Sequence, residues 1–452
     1  MDWQVRGLLI FLKKCMLRAF RDKLFSLSSS ELNRKIFSHS FWILLGNTVS
    51  KFALLGATML MTNYLTKDEY GQFGIIKSTI LTFAAFAGLE LGLTATKYIS
   101  QYHNKDRSKV EGIVGISNFV AIFISLVISA VIYTFSAEIA VQINAPALSK
   151  EIKLSSFIVF FSSLNGIQNG ILAGLERFKE MSVNNLIAGL LSAVLLVLAS
   201  KYYGLYAVVV AFGSNFLLLF LLNLVSLKKN FYSDYSINIF SKKNFEQADV
   251  LWKFSLPAIL AGLMVAPVTW YCNYLLVNSP EGFSEMANFD LASQWRNTIL
   301  FIPSALSQIA LPMLSSSVED KESYRTIFFK NLKLNGIVGF SAVIIFVVLS
   351  PVILMFYKED YNNALWPLII MFVTTGFIAV NNVIGQAIAS QGKMWLGFYV
   401  NLLWAIVLIS SSLLFINYFK LGAVGISLAY LVSYLFHTFV QYLLIKKGLN
   451  IK

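Results

Sequence analysis

Long apolar runs alternate along this chain with short polar segments. A helix that crosses a membrane needs about 20 mostly apolar residues, because a rise of ~1.5 Å per residue must traverse roughly 30 Å of hydrocarbon. The pattern predicts twelve spans, near 40–63, 72–95, 112–136, 154–174, 181–201, 204–226, 250–276, 286–314, 333–356, 363–389, 394–417 and 421–445. Tight turns at Lys201–Gly204 and Lys420–Gly422 each join two spans. The longest gap, 227–249, is polar and charged and reads as a linker between two halves.

The halves also align. An ungapped offset of 216 pairs Phe73 with Phe289, Asn165 with Asn381 and Ala173 with Ala389, and superposes spans 2, 3 and 4 on 8, 9 and 10. The expected fold is therefore all-α and integral to the membrane. It has about twelve transmembrane helices in two six-helix lobes related by a pseudo-twofold axis along the membrane normal, with a cavity between them. The expected divisions are a basic amphipathic arm at 1–38, an N-terminal lobe at 39–226, the linker at 227–249, a C-terminal lobe at 250–446 and a tail at 447–452.

Charge fixes the orientation. Of 36 Lys and Arg, 27 fall on the side holding both termini, six on the other and three inside spans. Positive residues are retained in the cytoplasm, so both termini are expected there. The same bias accounts for the net charge of +13, which in a soluble chain would suggest nucleic acid. Only 13% of residues are charged and 57% are hydrophobic, too few charges to cover a water-facing surface. In the arm, Arg6, Lys13, Lys14, Arg18, Arg21 and Lys23 alternate with Leu8, Leu12, Met16 and Phe20. That spacing suits either a helix lying on an anionic leaflet or a basic frayed terminus.

Enzyme chemistry finds little footing. Cys15 and Cys272 are far apart, and His39, His103 and His437 have no ligand spacing, so no metal or cofactor is expected. No phosphate-binding loop, nucleophile elbow or zinc-protease motif occurs.

Five segments in order carry a family likeness: LTKDEYGQFG (65–74), GLELGLTATKYISQY (88–102), GLERFKEM (174–181), WKFSLPAILAGLMVAPVTW (252–270) and QWRNTILFIPSALSQIALPMLS (294–315). Together they resemble lipid-linked oligosaccharide flippases of the Wzx type, in the polysaccharide-transporter branch of the multidrug/oligosaccharidyl-lipid/polysaccharide exporter superfamily. The resemblance covers about residues 36–446. It implies a non-enzymatic transporter of the bacterial inner membrane, monomeric and working beside glycan polymerase machinery. Its implied partners are membrane lipids and its cargo, an undecaprenyl-diphosphate-linked sugar unit of an O-antigen or other polysaccharide. It also implies a basic lumen, with Arg296 in the matching helix. The alternatives are a cation-coupled drug or metabolite antiporter of the same superfamily, which calls for a buried acid in the first lobe, and a membrane glycan polymerase or acyltransferase. The second calls for a long external loop or an intramembrane His/Asp pair.

Charges inside spans are costly unless paired or hydrated, so they default to function. Lys51, Lys77 and Arg296 are the candidate diphosphate ligands, since Arg grips phosphate bidentately and Lys supplies point charge. Against this, Lys77 could snorkel to headgroups, Arg296 could pair with Asp290, and Lys51 could be structural. Glu90 could take up a proton as a coupling site, neutralise Lys51 or pair with Lys97. Asn165, Gln168 and Asn169, with Asn381, Asn382 and Gln386, could bind sugar hydroxyls or bond between helices. Trp270, Tyr271, Tyr274 and Trp295 could stack sugars or form an interfacial belt. Pro257 and Pro267 in span 7, and Pro303 and Pro312 in span 8, are candidate hinges, while Gly46 and Gly56 loosen span 1.

Overall fold

A computed structural model describes residues 46, 48–88, 91–103, 105–247 and 264–447. The basic arm at 1–38, Glu90, Pro257 and the tail beyond 447 lie outside the described residues.

The chain is an all-α membrane protein. Its helices are α1 (Thr48–Met61), α2 (Lys67–Gly88), α3 (Leu91–Tyr102), α4 (Arg107–Thr134), the short α5 (Ser136–Gln142), α6 (Ser149–Gly174), α7 (Phe178–Tyr202) and α8 (Gly204–Asn230). They continue as α9 (Ala266–Val277), α10 (Gly282–Ile299), α11 (Phe301–Ser316), α12 (Lys321–Leu354), α13 (Leu365–Ser390), α14 (Met394–Ser412) and α15 (Gly422–Lys447). The end of α14 widens into a π-helical segment, Leu413–Tyr418. Among the described residues, eight helices are long and apolar enough to cross a membrane: α4, α6, α7, α8, α12, α13, α14 and α15. They match eight of the twelve expected spans. Helical backbone is required here because hydrocarbon offers no partner for a free N–H or C=O. The outward faces are apolar, as lipid demands: Phe123, Val194, Ile344 and Val348 are among the most exposed side chains.

Of the other expected spans, the first is described only from Thr48 to Met61, as an apolar helix, and the remaining three depart from continuous apolar helices. Expected span 2 falls on two helices, α2 and α3, and α2 carries Asp68, Glu69 and Lys77. Span 8 divides into α10 and α11 at Leu300. Pro303 explains the division: it has no N–H to give the Ile299 carbonyl, and its ring crowds that turn. Span 7 does not run unbroken to 276 as the hydropathy suggests, for Met264 and Val265 form a turn and α9 begins at Ala266. Pro267 therefore occupies a helix start, where its missing N–H costs nothing, rather than a mid-helix kink.

The 216-residue offset reappears in the element bounds. Shifted by 216, α6 falls on 365–390, the bounds of α13, and α7 falls on 394–418, the bounds of α14 with its π segment. The backbone breaks repeat too. Glu176 (φ 57°) corresponds to Gly392 (φ 70°), and Gly204 (φ 73°) to Lys420 (φ 55°). These are left-handed conformations at helix ends, which a non-glycine residue adopts only at some cost.

Packing follows the same repeat. In the first group, α6 contacts α2, α3, α4 and α8; in the second, α13 contacts α10, α11, α12 and α15. The groups meet where α2 packs on α9 and α10. The expected free linker is partly docked. Beyond α8, Tyr235 donates its hydroxyl to the His103 carbonyl (2.8 Å), the Ser236 N–H donates to Glu111 (2.9 Å), and a 3-10 turn at Lys242–Gln247 lies on α4.

Candidate functional site

The seam between the groups starts from a lack of side chains. Gly71 and Gly74 share one face of α2, a turn apart, and let it approach α10 closely. A Cβ at Gly71 would collide with the backbone carbonyl of Phe283, and one at Gly74 would lie 3.3 Å from the Cβ of Asp290. Tyr70 and Lys77 lie along the same strip. Lys77 Nζ donates to Asp290 Oδ2 at 2.7 Å, with side chains only 16% and 7% exposed. Gln294 Nε2 donates to the same carboxylate oxygen (2.7 Å) and to the Tyr70 hydroxyl (2.9 Å). Trp270 Nε1 donates to Thr79 Oγ1 and Asn273 to Ser78 Oγ. At the end where α2 begins, Lys67 donates to the Asp360 carbonyl (2.7 Å) and Lys358 to the Leu65 carbonyl (3.2 Å). The seam is thus tied at this end by bonds of high sequence separation.

A Gly71→Leu substitution is expected to wedge α2 from α10, because the obstacle is backbone and cannot rotate away. Cysteines placed at Ser78 and Asn273 report it: a crosslink that forms readily with Gly71 present is expected to be strongly reduced in the Gly71→Leu background.

Asp290 is therefore committed to Lys77, and two alternatives weighed from the sequence fail. Asp290 does not pair with Arg296, and Lys77 does not reach for headgroups but turns into the seam. Lys77 is also 5.6 Å from the Phe73 ring centroid.

Arg296 and Lys51 have a different setting. Six residues beyond Asp290, the half-buried guanidinium of Arg296 lies 5.1 Å from the ring of Tyr430 on α15. Its Nε and Nη2 donate to Asn297 Oδ1, while its buried Nη1 has no hydrogen-bond partner among the described residues. Lys51, exposed on α1, holds Nζ 4.4 Å from the ring of Phe301 at the α10–α11 break. Five residues separate Phe301 from Arg296, about 7.5 Å of helix rise. Arg296 and the ring that Lys51 contacts are thus five positions apart on α10–α11. Among the described residues, neither cation forms a salt bridge.

The amides go elsewhere. Asn165 donates to the Phe216 carbonyl (2.8 Å). Asn169 accepts from Asn223, whose own oxygen accepts from Asn184, which also donates to Ser226: a chain linking α6, α8 and α7. Gln168 is buried, and its Oε1 has no partner. In the second group Asn381 bonds His437 Nδ1 (3.2 Å) and accepts from Thr438 (2.8 Å). Asn382 donates to Ser304 (3.3 Å), and Gln386 is half-buried. The interhelical role accounts for most of this set. Trp270 stacks on Tyr274, and Trp295 donates to the Tyr357 hydroxyl (2.9 Å), so both indoles are held by protein.

The sequence reading missed Asp290 as the partner of Lys77, and Tyr70, Gln294 and Gly71 altogether. The Gly71–Gly74 spacing on a charged helix was the available signal. Among the described residues no cluster of His, Cys, Asp and Glu could hold a metal ion.

Fold and site define a multi-pass α-helical membrane protein with a polar seam between two repeated helix groups. The chain belongs to a family of polysaccharide biosynthesis proteins, whose model matches residues 60–366. Two curated relatives, each an EPS I polysaccharide export inner membrane protein EpsE, come from Ralstonia solanacearum and Ralstonia nicotianae. They are 29% and 27% identical over 192 residues, 42% of this chain; the match spans 44% of each relative's length. Among solved structures, the lipid II flippase MurJ in an inward closed conformation superposes with a TM-score of 0.73 at 16% identity, over 90% of this chain and 87% of that one. An inward-facing multidrug resistance MATE transporter of the MOP superfamily gives 0.67 at 14% identity, over 88% and 94%. Its outward-facing counterpart gives 0.59 at 14%, over 94% and 97%. At these identities the likeness is one of fold.

Proposed function

We propose that this protein is a flippase of the bacterial inner membrane. It moves an undecaprenyl-diphosphate-linked oligosaccharide from the cytoplasmic to the outer leaflet by alternating access. The two lobes, 39–226 and 250–446, each contribute six helices, with both termini in the cytoplasm. Gly74 and Asp290 correspond at the 216 offset and lie against each other, which supports a pseudo-twofold axis passing through the seam. The positive-residue bias makes the tied end the outer one, so this conformation is closed outward. The better superposition on inward than on outward transporters agrees.

The observation that supports the reading is that Arg296 and Lys51, neither in a salt bridge among the described residues, both lie along α10–α11. A diphosphate brings about two negative charges and many acceptor oxygens, for which a guanidinium with a free N–H is well matched. The lipid tail stays in the bilayer, so only the headgroup and glycan need the seam. Lys77, held by Asp290, acts in this state as part of the outer closure rather than as a ligand. The antiporter alternative gains nothing from Asp290, a buried acid already neutralised, and the enzyme alternative nothing from His437, whose partner is an amide.

Complementation tests the reading. Expressed in a bacterium lacking its own oligosaccharide-lipid flippase but making the matching glycan, the wild-type protein is expected to restore surface glycan. Absence of glycan with the protein correctly inserted, in a strain where a known flippase restores it, contradicts the proposal.

A further inference from the structure

A second built site lies away from the seam, at the same end of the molecule. The end of α4, the first turns of α6 and the start of α8 enclose a pocket of about 730 Å³. Lys150, Glu151, Lys153 and Phe157 line it from α6, Tyr133 from α4 and Tyr206 from α8. Lys153 Nζ lies 4.1 Å from the Tyr133 ring centroid, and Tyr133 meets Phe157 edge to face. Glu151 Oε2 is buried without a hydrogen-bond partner.

We infer that this pocket holds the phosphate-bearing headgroup of a lipid in the leaflet at that end of the bundle. Three observations carry this. Its basic groups are two of the six Lys and Arg that fall on that side of the chain, so the charge is local to the pocket rather than general. Its aromatic rims continue into lipid-facing stripes. On α4, Tyr133 follows Leu126, and on α8, Tyr206 precedes Val210 and Leu217, all substantially exposed. Between them α6, packed against both helices, forms a floor on which acyl chains can lie. The chemistry is thus layered as in a lipid: ammonium groups for phosphate, then aromatic rims, then apolar surface. Two sources offer that headgroup, a glycerophospholipid such as phosphatidylglycerol and a polyprenyl phosphate.

Native mass spectrometry on the full-length protein in detergent tests the assignment. The protein is incubated with phosphatidylglycerol, phosphatidylcholine or undecaprenyl phosphate, separately and in competition. One phosphatidylglycerol or undecaprenyl phosphate is expected to be retained in preference to phosphatidylcholine. Lys150→Gln/Lys153→Gln is expected to weaken that retention by about tenfold or more. Lys201→Gln, which removes another cation from the same side, leaves retention unchanged. Displacement of phosphatidylglycerol by undecaprenyl phosphate identifies the carrier as the occupant, and the reverse identifies bulk phospholipid. Should the double variant fail to fold, Tyr133→Ala, which removes the ring beneath Lys153, is expected to show the same loss. Equal retention of phosphatidylcholine, no loss in the folded variants, or an equal loss in Lys201→Gln overturns the inference.

Discussion

Asp290→Ala is expected to destabilise the protein by about 3–5 kcal/mol. The substitution leaves the Lys77 ammonium, 16% exposed, without its counter-charge in the seam. It also removes the acceptor that Gln294 shares with Lys77, so two donors lose their partner at once. The pair itself need not be favourable relative to apolar side chains, because desolvating both ions cancels much of their attraction. Lys77→Met with Asp290→Leu is therefore expected to recover most of the loss. Thermal unfolding in detergent, followed by fluorescence-detected size exclusion, distinguishes these outcomes. Equal stability for wild type and Asp290→Ala would mean that water, rather than Asp290, satisfies Lys77.

Arg296→Ala is expected to weaken binding of a polyprenyl-diphosphate saccharide by at least about thirtyfold, corresponding to roughly 2–5 kcal/mol for a truncated charge-assisted contact. Stability should change little by comparison, since the guanidinium has no carboxylate to leave behind among the described residues and its packing is on one face of Tyr430. Arg296→Lys retains the charge but loses the planar fork, so it should fall between the two. Lys51→Ala is expected to show a smaller loss, because a lysine supplies point charge without the bidentate fork of arginine. Titration of the purified variants against the diphosphate lipid, with the monophosphate as comparison, measures each step. Similar affinity for Arg296→Ala and wild type would move the anion site off α10.

Hydropathy period and length located seven of the eight described spans to within several residues, because a lipid-facing helix must be apolar along the bilayer. The exception, α12, begins at Lys321, well before the expected 333, because its first turns are polar and helix does not require apolarity. The repeat was legible for a related reason: the 216 offset preserves burial along α6 and α13 even where identities are sparse. The seam was harder to read. A hydropathy run gives no rotational phase for a helix with polar groups on several faces, so Lys77 and Asp290, 213 residues apart, could not be paired from the chain alone. Asn169 and Asn165 share a helix face, but α8 covers it, so they bond Asn223 and the Phe216 carbonyl instead of opening to a cavity. Pro267 illustrates a third limit. A proline signals a missing hydrogen bond, yet whether it starts a helix or bends one depends on the turn before it, here Met264 and Val265.

On the function proposed above, the seam and its neighbouring cations carry a diphosphate-linked saccharide across the bilayer. The direct measurement uses proteoliposomes bearing a fluorescent short-chain polyprenyl-diphosphate saccharide, with a membrane-impermeant quencher reporting the leaflet. The account predicts that wild-type protein exposes the inner-leaflet pool to the quencher well above the protein-free rate, and that folded, reconstituted Arg296→Ala does not. Movement by Arg296→Ala as fast as by wild type would contradict the role given to those cations. No movement by wild type, with a known flippase active in the same vesicles, would contradict the flippase reading itself.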